Sequence, residues 1–191
     1  MPSLTEIANL ALSLVGDERI VSLDTDTSKE ARLCAEFLPQ VRDEALALHP
    51  WNFAKRRASL PASPIAPAFE WTAQFQVPAD CLRILAVASA DPHEPWEREG
   101  NLILCNMAAP LQVQYIQRHA DTGHWAPLFA RLVAAMLAER LCIPLSASAQ
   151  QRAQIAAELV EARRLARQTD AAEGTPKPQY APADILVNAR F

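Results

Sequence analysis

Three carboxylates, Glu94, Glu97 and Glu99, crowd around Trp96 in the middle of the chain. Two carboxyl groups held about 5 to 9 Å apart are what glycoside hydrolysis needs, one as acid and the other as nucleophile or base. A cell-wall glycan hydrolase with Glu97 or Glu99 as the acid is the enzyme they would make, although the charged turn of a hairpin explains them more simply. Asp24-x-Asp26-x-Ser28 opens like a calcium loop, but Lys29 stands where the turn needs glycine and Ala35 where the bidentate glutamate belongs. It reads better as loop carboxylates leading into a helix cap.

His49, His93, His119 and His124 form no His-Glu-x-x-His pattern, and no serine sits in a Gly-x-Ser-x-Gly elbow. The four glycines, Gly16, Gly100, Gly123 and Gly174, are too far apart to cradle a phosphate. Cys34, Cys81, Cys105 and Cys142 are 47, 24 and 37 residues apart, without the paired spacing of zinc or redox sites, so they are expected to be reduced core thiols. No cofactor and no metal is expected. Lys55-Arg56-Arg57 follows Trp51 and Phe53, yet three basic residues alternating across a strand cannot all face one nucleic acid, and a solvated strand or subunit interface is the expectation. Arg163, Arg164 and Arg167 make a second basic group, which could serve a DNA-gating module.

The elements that must position these residues can be read from periodicity. Ser3 and Glu6 form a capping box, and Leu4, Ile7, Leu10, Ala11 and Leu14 recur at helical spacing until Gly16. Thr27 and Glu30 repeat the cap chemistry before Cys34, Leu38, Val41, Ala45 and Leu48, with Pro39 a kink and His49 a helix-end histidine beside the negative pole. Eight of the fifteen prolines then lie between Pro50 and Pro110. Trp71 to Val77 alternates apolar and polar, and Leu82–Val87, Leu102–Leu104, Leu111–Tyr115 and Trp51–Leu60 read as further strands of a small antiparallel sheet. A third helix begins near Trp125 or Pro127 and is apolar over a wide arc, so it is expected to be central and buried, with Cys142 packed on its apolar side. A fourth runs from about Ser148 to Gln168 with a narrow stripe of Ile155, Leu159, Ala162 and Leu165. After Thr169 the pattern stops, and the last residues are too sparsely apolar to fold alone.

Composition sets the frame. The chain has 191 residues, 50% apolar and 21% charged, with 18 Lys and Arg against 22 Asp and Glu for a net charge of −4. This suits one ordinary globular domain, or one compact body with an appended arm, and argues against a general nucleic-acid binder. No run of about 18 apolar residues suggests a membrane span, and the N-terminal segment lacks a basic leader, so a soluble protein not exported by that route is expected. The expected class is α+β, mainly α: a four-helix bundle with an inserted small antiparallel β-sheet and an extended C-terminal arm. Its parts are residues 1–50 (helices one and two), 51–120 (the sheet region), 121–169 (helices three and four) and 170–191 (the arm).

Arg42-Asp43-Glu44-Ala45-Leu46-Ala47-Leu48-His49-Pro50-Trp51-Asn52-Phe53-Ala54-Lys55-Arg56 resembles the signature of bacteriophage head-to-tail adaptors, the tail tubular protein A and tail accessory factor group. In the same order follow Val77-Pro78-Ala79-Asp80-Cys81-Leu82-Arg83-Ile84-Leu85, Pro110 to Arg118 with Tyr115-Ile116, Asp121, and the helix opening Pro127-Leu128-Phe129, so the likeness spans the chain to about residue 170. It implies a non-enzymatic ring, typically of twelve copies, beneath the portal protein at the head-tail junction of the virion, assembled in the bacterial host cytoplasm. The ring would enclose the channel through which DNA passes without sequence-specific binding, and would offer the next tail or nozzle protein a platform. The C-terminal helix and arm would dock on the portal, giving Ile155, Arg163, Arg164, Arg167, Ile185, Leu186 and Phe191 as candidate portal-binding residues. His49, Pro50, Trp51, Asn52 and Phe53 would form the structural junction. A tail-associated peptidoglycan hydrolase and a DNA-gating module are the competing readings.

Overall fold

The computed structural model describes residues 2–88 and 94–174, and the fold is α+β, with four helices and two small antiparallel three-stranded sheets. Helix α1, Leu4–Val15, starts on the expected capping box: Ser3 Oγ accepts from the Glu6 amide while the Glu6 carboxylate accepts from the Ser3 amide. It stops at Gly16, whose φ of +84° is the left-handed turn that frees glycine from a Cβ clash. Helix α2, Lys29–Leu48, is capped by Ser28 rather than Thr27, because it is the Ser28 hydroxyl that accepts from the Ala31 amide. Pro39 lies inside this helix.

Helix α3, Pro127–Leu141, has proline in its first turn and is buried along almost its whole length, from Phe129 and Ala130 through Leu132–Ala138 to Leu141. It packs against α1, α2 and α4, as its wide apolar arc requires. Helix α4, Ala149–Ala172, begins on a second capping box, Ser148 with Gln151, and buries Ile155, Leu159, Ala162, Ala166 and Asp170. It therefore runs beyond Gln168, because Asp170 continues the buried stripe, and the arm cannot begin at residue 170. Arg131 of α3 grips Glu158 of α4 with two hydrogen bonds of 2.7 and 3.0 Å, and Arg140 pairs with Glu44 of α2 at 2.8 Å.

The strands are β1 (Lys55–Leu60), β2 (Ala73–Gln76), β3 (Cys81–Ala88), β4 (Trp96–Glu99), β5 (Leu102–Cys105) and β6 (Leu111–Gln117). They make two sheets, ordered β1-β6-β3 and β2-β5-β4, where the sequence suggested one. Two corrections follow from the strands. The first half of Trp51–Leu60 is a 3-10 turn, Asn52–Ala54, because Trp51 and Ala54 are held in the helical core before the chain can straighten. The segment Trp96–Glu99 is a strand rather than a hairpin turn; every one of its residues is exposed, so it shows no alternation to read.

Strand β6 separates two cores. Leu111, Val113 and Tyr115 join Leu60, Phe75, Val77 and Ile103 in a cluster shared by the two sheets, whereas Ile116 joins the helical core. Trp51 and Ala54 also belong to the helical core, so the helical body does not end at residue 50.

A Cβ added at Gly16 would lie 2.6 Å from Gln151 Nε2, the atom that ties α4 to α1 by donating to the Val15 carbonyl. Gly16→Ala should therefore destabilise the protein by about 1–2 kcal/mol from the left-handed backbone, with a further loss from the displaced glutamine, measured by urea unfolding.

Candidate functional site

The segment His49-Pro50-Trp51-Asn52-Phe53 joins α2 to the first sheet, and each of its side chains except Pro50 has a specific partner. Trp51, 1% exposed, donates its indole N–H to the Ala45 carbonyl at 2.8 Å and meets Phe129 of α3 edge-on with ring centres 5.1 Å apart. Phe53 meets the same Phe129 at 5.0 Å, and Trp125 does so from a third side at 5.0 Å. Such edge-to-face contacts contribute about 0.5–1.5 kcal/mol each beyond the area they bury.

The same segment is fastened to α4 through Asp170. The Asn52 amide donates to Asp170 Oδ1 at 2.7 Å, the Asn52 side-chain amide donates to the Asp170 carbonyl at 2.6 Å, and His49 Nε2 lies 3.1 Å from Asp170 Oδ2. Asp170 is only 7% exposed. A carboxylate in the last turn of a helix is opposed by the helix dipole and by burial, so these donors are what make the position tolerable. The expected association of His49 with the end of its own helix is thus completed by an anion 121 residues away. Neither the periodicity nor the junction pattern pointed to Asp170; the available signal was its place four residues after Ala166 on the α4 stripe.

Beside this lock lies an open cleft of about 710 Å³ lined by His49, Asn52, Lys55, Arg57, Asp170 and Gly174, among others. Lys55 Nζ donates to Asn52 Oδ1 at 2.7 Å, and Arg57 points from the same face of β1. Arg56 faces the other way and donates to Gln117 Oε1, so the basic triplet is divided between two faces as its alternation requires. On that second side Asp80 accepts from Tyr115 Oη at 3.1 Å and from Gln117 Nε2 at 2.7 Å. Burial, with the Asp80 carboxylate beside it, pushes the Tyr115 hydroxyl above its ordinary pKa.

The other candidate residues are scattered. Ile155 is 2% exposed and holds α4 in the helical core, so in the folded chain it is not a portal-facing side chain. Arg164 grips Glu161 at 2.6 and 2.9 Å and holds that carboxyl below the usual range. Arg167 reaches the Leu48 carbonyl at 3.5 Å, while Arg163 lines a different cleft with Glu44, Glu139 and Arg140. Ile185, Leu186, Phe191 and His93 lie outside the described residues. Glu97 and Glu99 stand on a strand whose every residue is exposed.

Asp26 accepts from the Val21 and Ser28 amides, the cap-loop role expected of it. Cys34, Cys105 and Cys142 are buried and Cys81 is half-buried; burial pushes the Cys34 thiol up to about 11 and the other three upward. Among the described residues, no group of His, Cys, Asp and Glu is arranged to hold a metal ion, and no helix is long and apolar enough to cross a membrane. No protein-family model matches the chain, and no curated protein shows significant similarity to it.

Two predictions rest on this geometry. Asp170→Ala leaves the half-buried Asn52 amide without its acceptor and should cost about 1–3 kcal/mol; denaturant unfolding measures it, with Asp170→Asn recovering part of the loss. His119, beside Phe53 and His124, has its pKa lowered by burial, then by the charges of His124 and Arg56. A lowered pKa means that the unfolded chain binds the proton more readily, so this group's contribution is intact above the ordinary histidine pKa of about 6.5. It is lost as the pH falls through the folded value. Thermal midpoints between pH 7.5 and 5 should fall less for His119→Gln than for the unaltered chain.

Proposed function

We propose that the protein is a structural head-to-tail adaptor of a tailed bacteriophage, a non-enzymatic ring component that joins the portal to the tail and surrounds the DNA path. The observation that carries this reading is the Asp170 lock. The stretch His49 to Phe53, the part of the sequence that most resembles such adaptors, binds the root of the C-terminal arm directly. A segment that must pull on a portal needs a rigid origin, and four elements converge there: the end of α2, the start of β1, the aromatic face of α3 and the last turn of α4.

In this reading the four helices form the bundle that stands under the portal, and the two sheets with their loops form the opposite platform. The proline-containing loop between β1 and β2 suits such a platform, since Ile65 and Phe69 are 70% and 79% exposed. Arg164 and Arg167 remain usable for an acidic portal surface, because an exposed pair such as Arg164–Glu161 is worth only about 0.2–1 kcal/mol and exchanges readily. Ile185, Leu186 and Phe191 would supply the apolar anchor. The net charge of −4 suits a conduit that DNA crosses without being held by many phosphate contacts.

The lock also decides where to cut. Removing residues 175–191 leaves Asp170 and all of α4 in place, whereas a cut at residue 170 would remove the lock as well. The 1–174 chain should keep the thermal midpoint of the full chain and lose at least tenfold in affinity for portal rings of the same phage, read by co-sedimentation. Undiminished capture would refute the arm's role.

A further inference from the structure

Each sheet ends in a strand with a neighbour on one side only, and the two open edges carry opposite charge. Strand β1 pairs with β6 alone and begins Lys55-Arg56-Arg57; β4 pairs with β5 alone and reads Trp96-Glu97-Arg98-Glu99, exposed throughout. Among the described residues no backbone hydrogen bond reaches the outer side of either strand. The other two edges are partly covered: β3 has α2 beside it, where Arg83 donates to the Ala47 carbonyl, and β2 is bridged by Ala62, with the Ser63 amide donating to the Gln74 carbonyl.

The charges fall on matching faces. Lys55 and Arg57 point from one face of β1 into the 710 Å³ cleft, and Arg57 has no hydrogen bond or ion pair among the described residues. Glu97 and Glu99 share one face of β4 by strand alternation. Arg98 is on the other face, its guanidinium donating to the Gly100 carbonyl at 3.1 Å.

We propose that β4 of one copy adds to the free edge of β1 of a second copy and carries Glu97 and Glu99 into the cleft lined by Lys55 and Arg57. The addition satisfies two rows of open backbone groups, as strand addition does in peptide recognition. Like edges repel: β1 against β1 brings cations together, and β4 against β4 brings carboxylates together. Only the unlike pair is favourable, so the contact is heterologous, each copy giving one edge and receiving the other, and repetition closes a ring or runs on as a filament. This rests on the adaptor reading for the biological use of the ring, but the interface itself is a property of the two edges.

The test is sedimentation velocity of the full chain at tens of micromolar, alone and with portal rings, for the unaltered protein, E97K/E99K, K55E/R57E, and an equimolar mixture of the two variants. The unaltered protein should self-associate. Each variant should lose at least tenfold in self-association, E97K/E99K at an unchanged thermal midpoint because its strand is exposed throughout, and K55E/R57E while remaining folded although the Lys55–Asn52 hydrogen bond is lost. The mixture should recover it, because a reversed β4 fits a reversed β1. Should a reversed variant not fold, E97Q/E99Q replaces it and should weaken association severalfold, with a reduced dependence on salt. Variants that assemble like the unaltered protein, a folded mixture that does not recover, or an unaltered chain that is monomeric both alone and with portal rings would overturn the proposal. Normal assembly of the variants together with portal capture sinks this interface and leaves the adaptor reading standing. Recovery in the mixture without portal capture does the reverse.

Discussion

Helix α3 is apolar on nearly every side, and a helix of that kind is stable in water only when other elements cover it all round. Helices α1, α2 and α4 cover three directions, and the aromatic junction after α2 covers the remainder, with Trp51, Phe53 and Trp125 all meeting Phe129. The placement of the other helices, the 3-10 turn that replaces the start of the first strand, and the burial of Trp51 all follow from that one demand. The ion pairs Arg131–Glu158 and Arg140–Glu44 then fix the orientation of α4 and α2 on this core. They are too exposed to be its main source of stability.

The sheets obey a different rule. Four of the six strands are no longer than six residues, and one is exposed throughout. The other five each turn one face into a common cluster, with β6 as the wall between that cluster and the helical core, while β4 is held by its pairing with β5. A wall of this kind couples the two parts: Tyr115 and Ile116 are neighbours in sequence yet belong to different cores. The Asp80 carboxylate, receiving Tyr115 and Gln117, holds the bulged end of β3 against β6. The helical body and the sheets are therefore joined by packing on both sides of one strand rather than by a linker.

Helix positions were largely legible from the chain, because capping chemistry and a 3.6-residue apolar period are local properties: Ser3 with Glu6, Gly16, Pro127 and Ser148 all act where the sequence places them. The end of α4 is not legible in the chain because an acidic residue reads as the end of an apolar stripe, when here Asp170 is the stripe's last buried member. Trp96–Glu99 reads as a turn in the sequence for the related reason that an edge strand exposed on both faces has no period. The division into two sheets was not visible at all, since local alternation states that a face is buried and not which strand lies opposite.

The sequence by itself determined the class of the fold, the starts of α1, α3 and α4 and the packing role of the central helix, because each depends on residues within a turn or two of one another, and its resemblance drew attention to the His49–Phe53 junction. Only the tertiary structure decided what that junction holds. The partners Asn52 and Asp170 are 118 residues apart, and a hydrogen bond over that separation leaves no periodic trace in the chain. The same is true of the opposed charges of β1 and β4. Their meaning depends on both strands lying at open edges, and an open edge exists only after the other strands have paired.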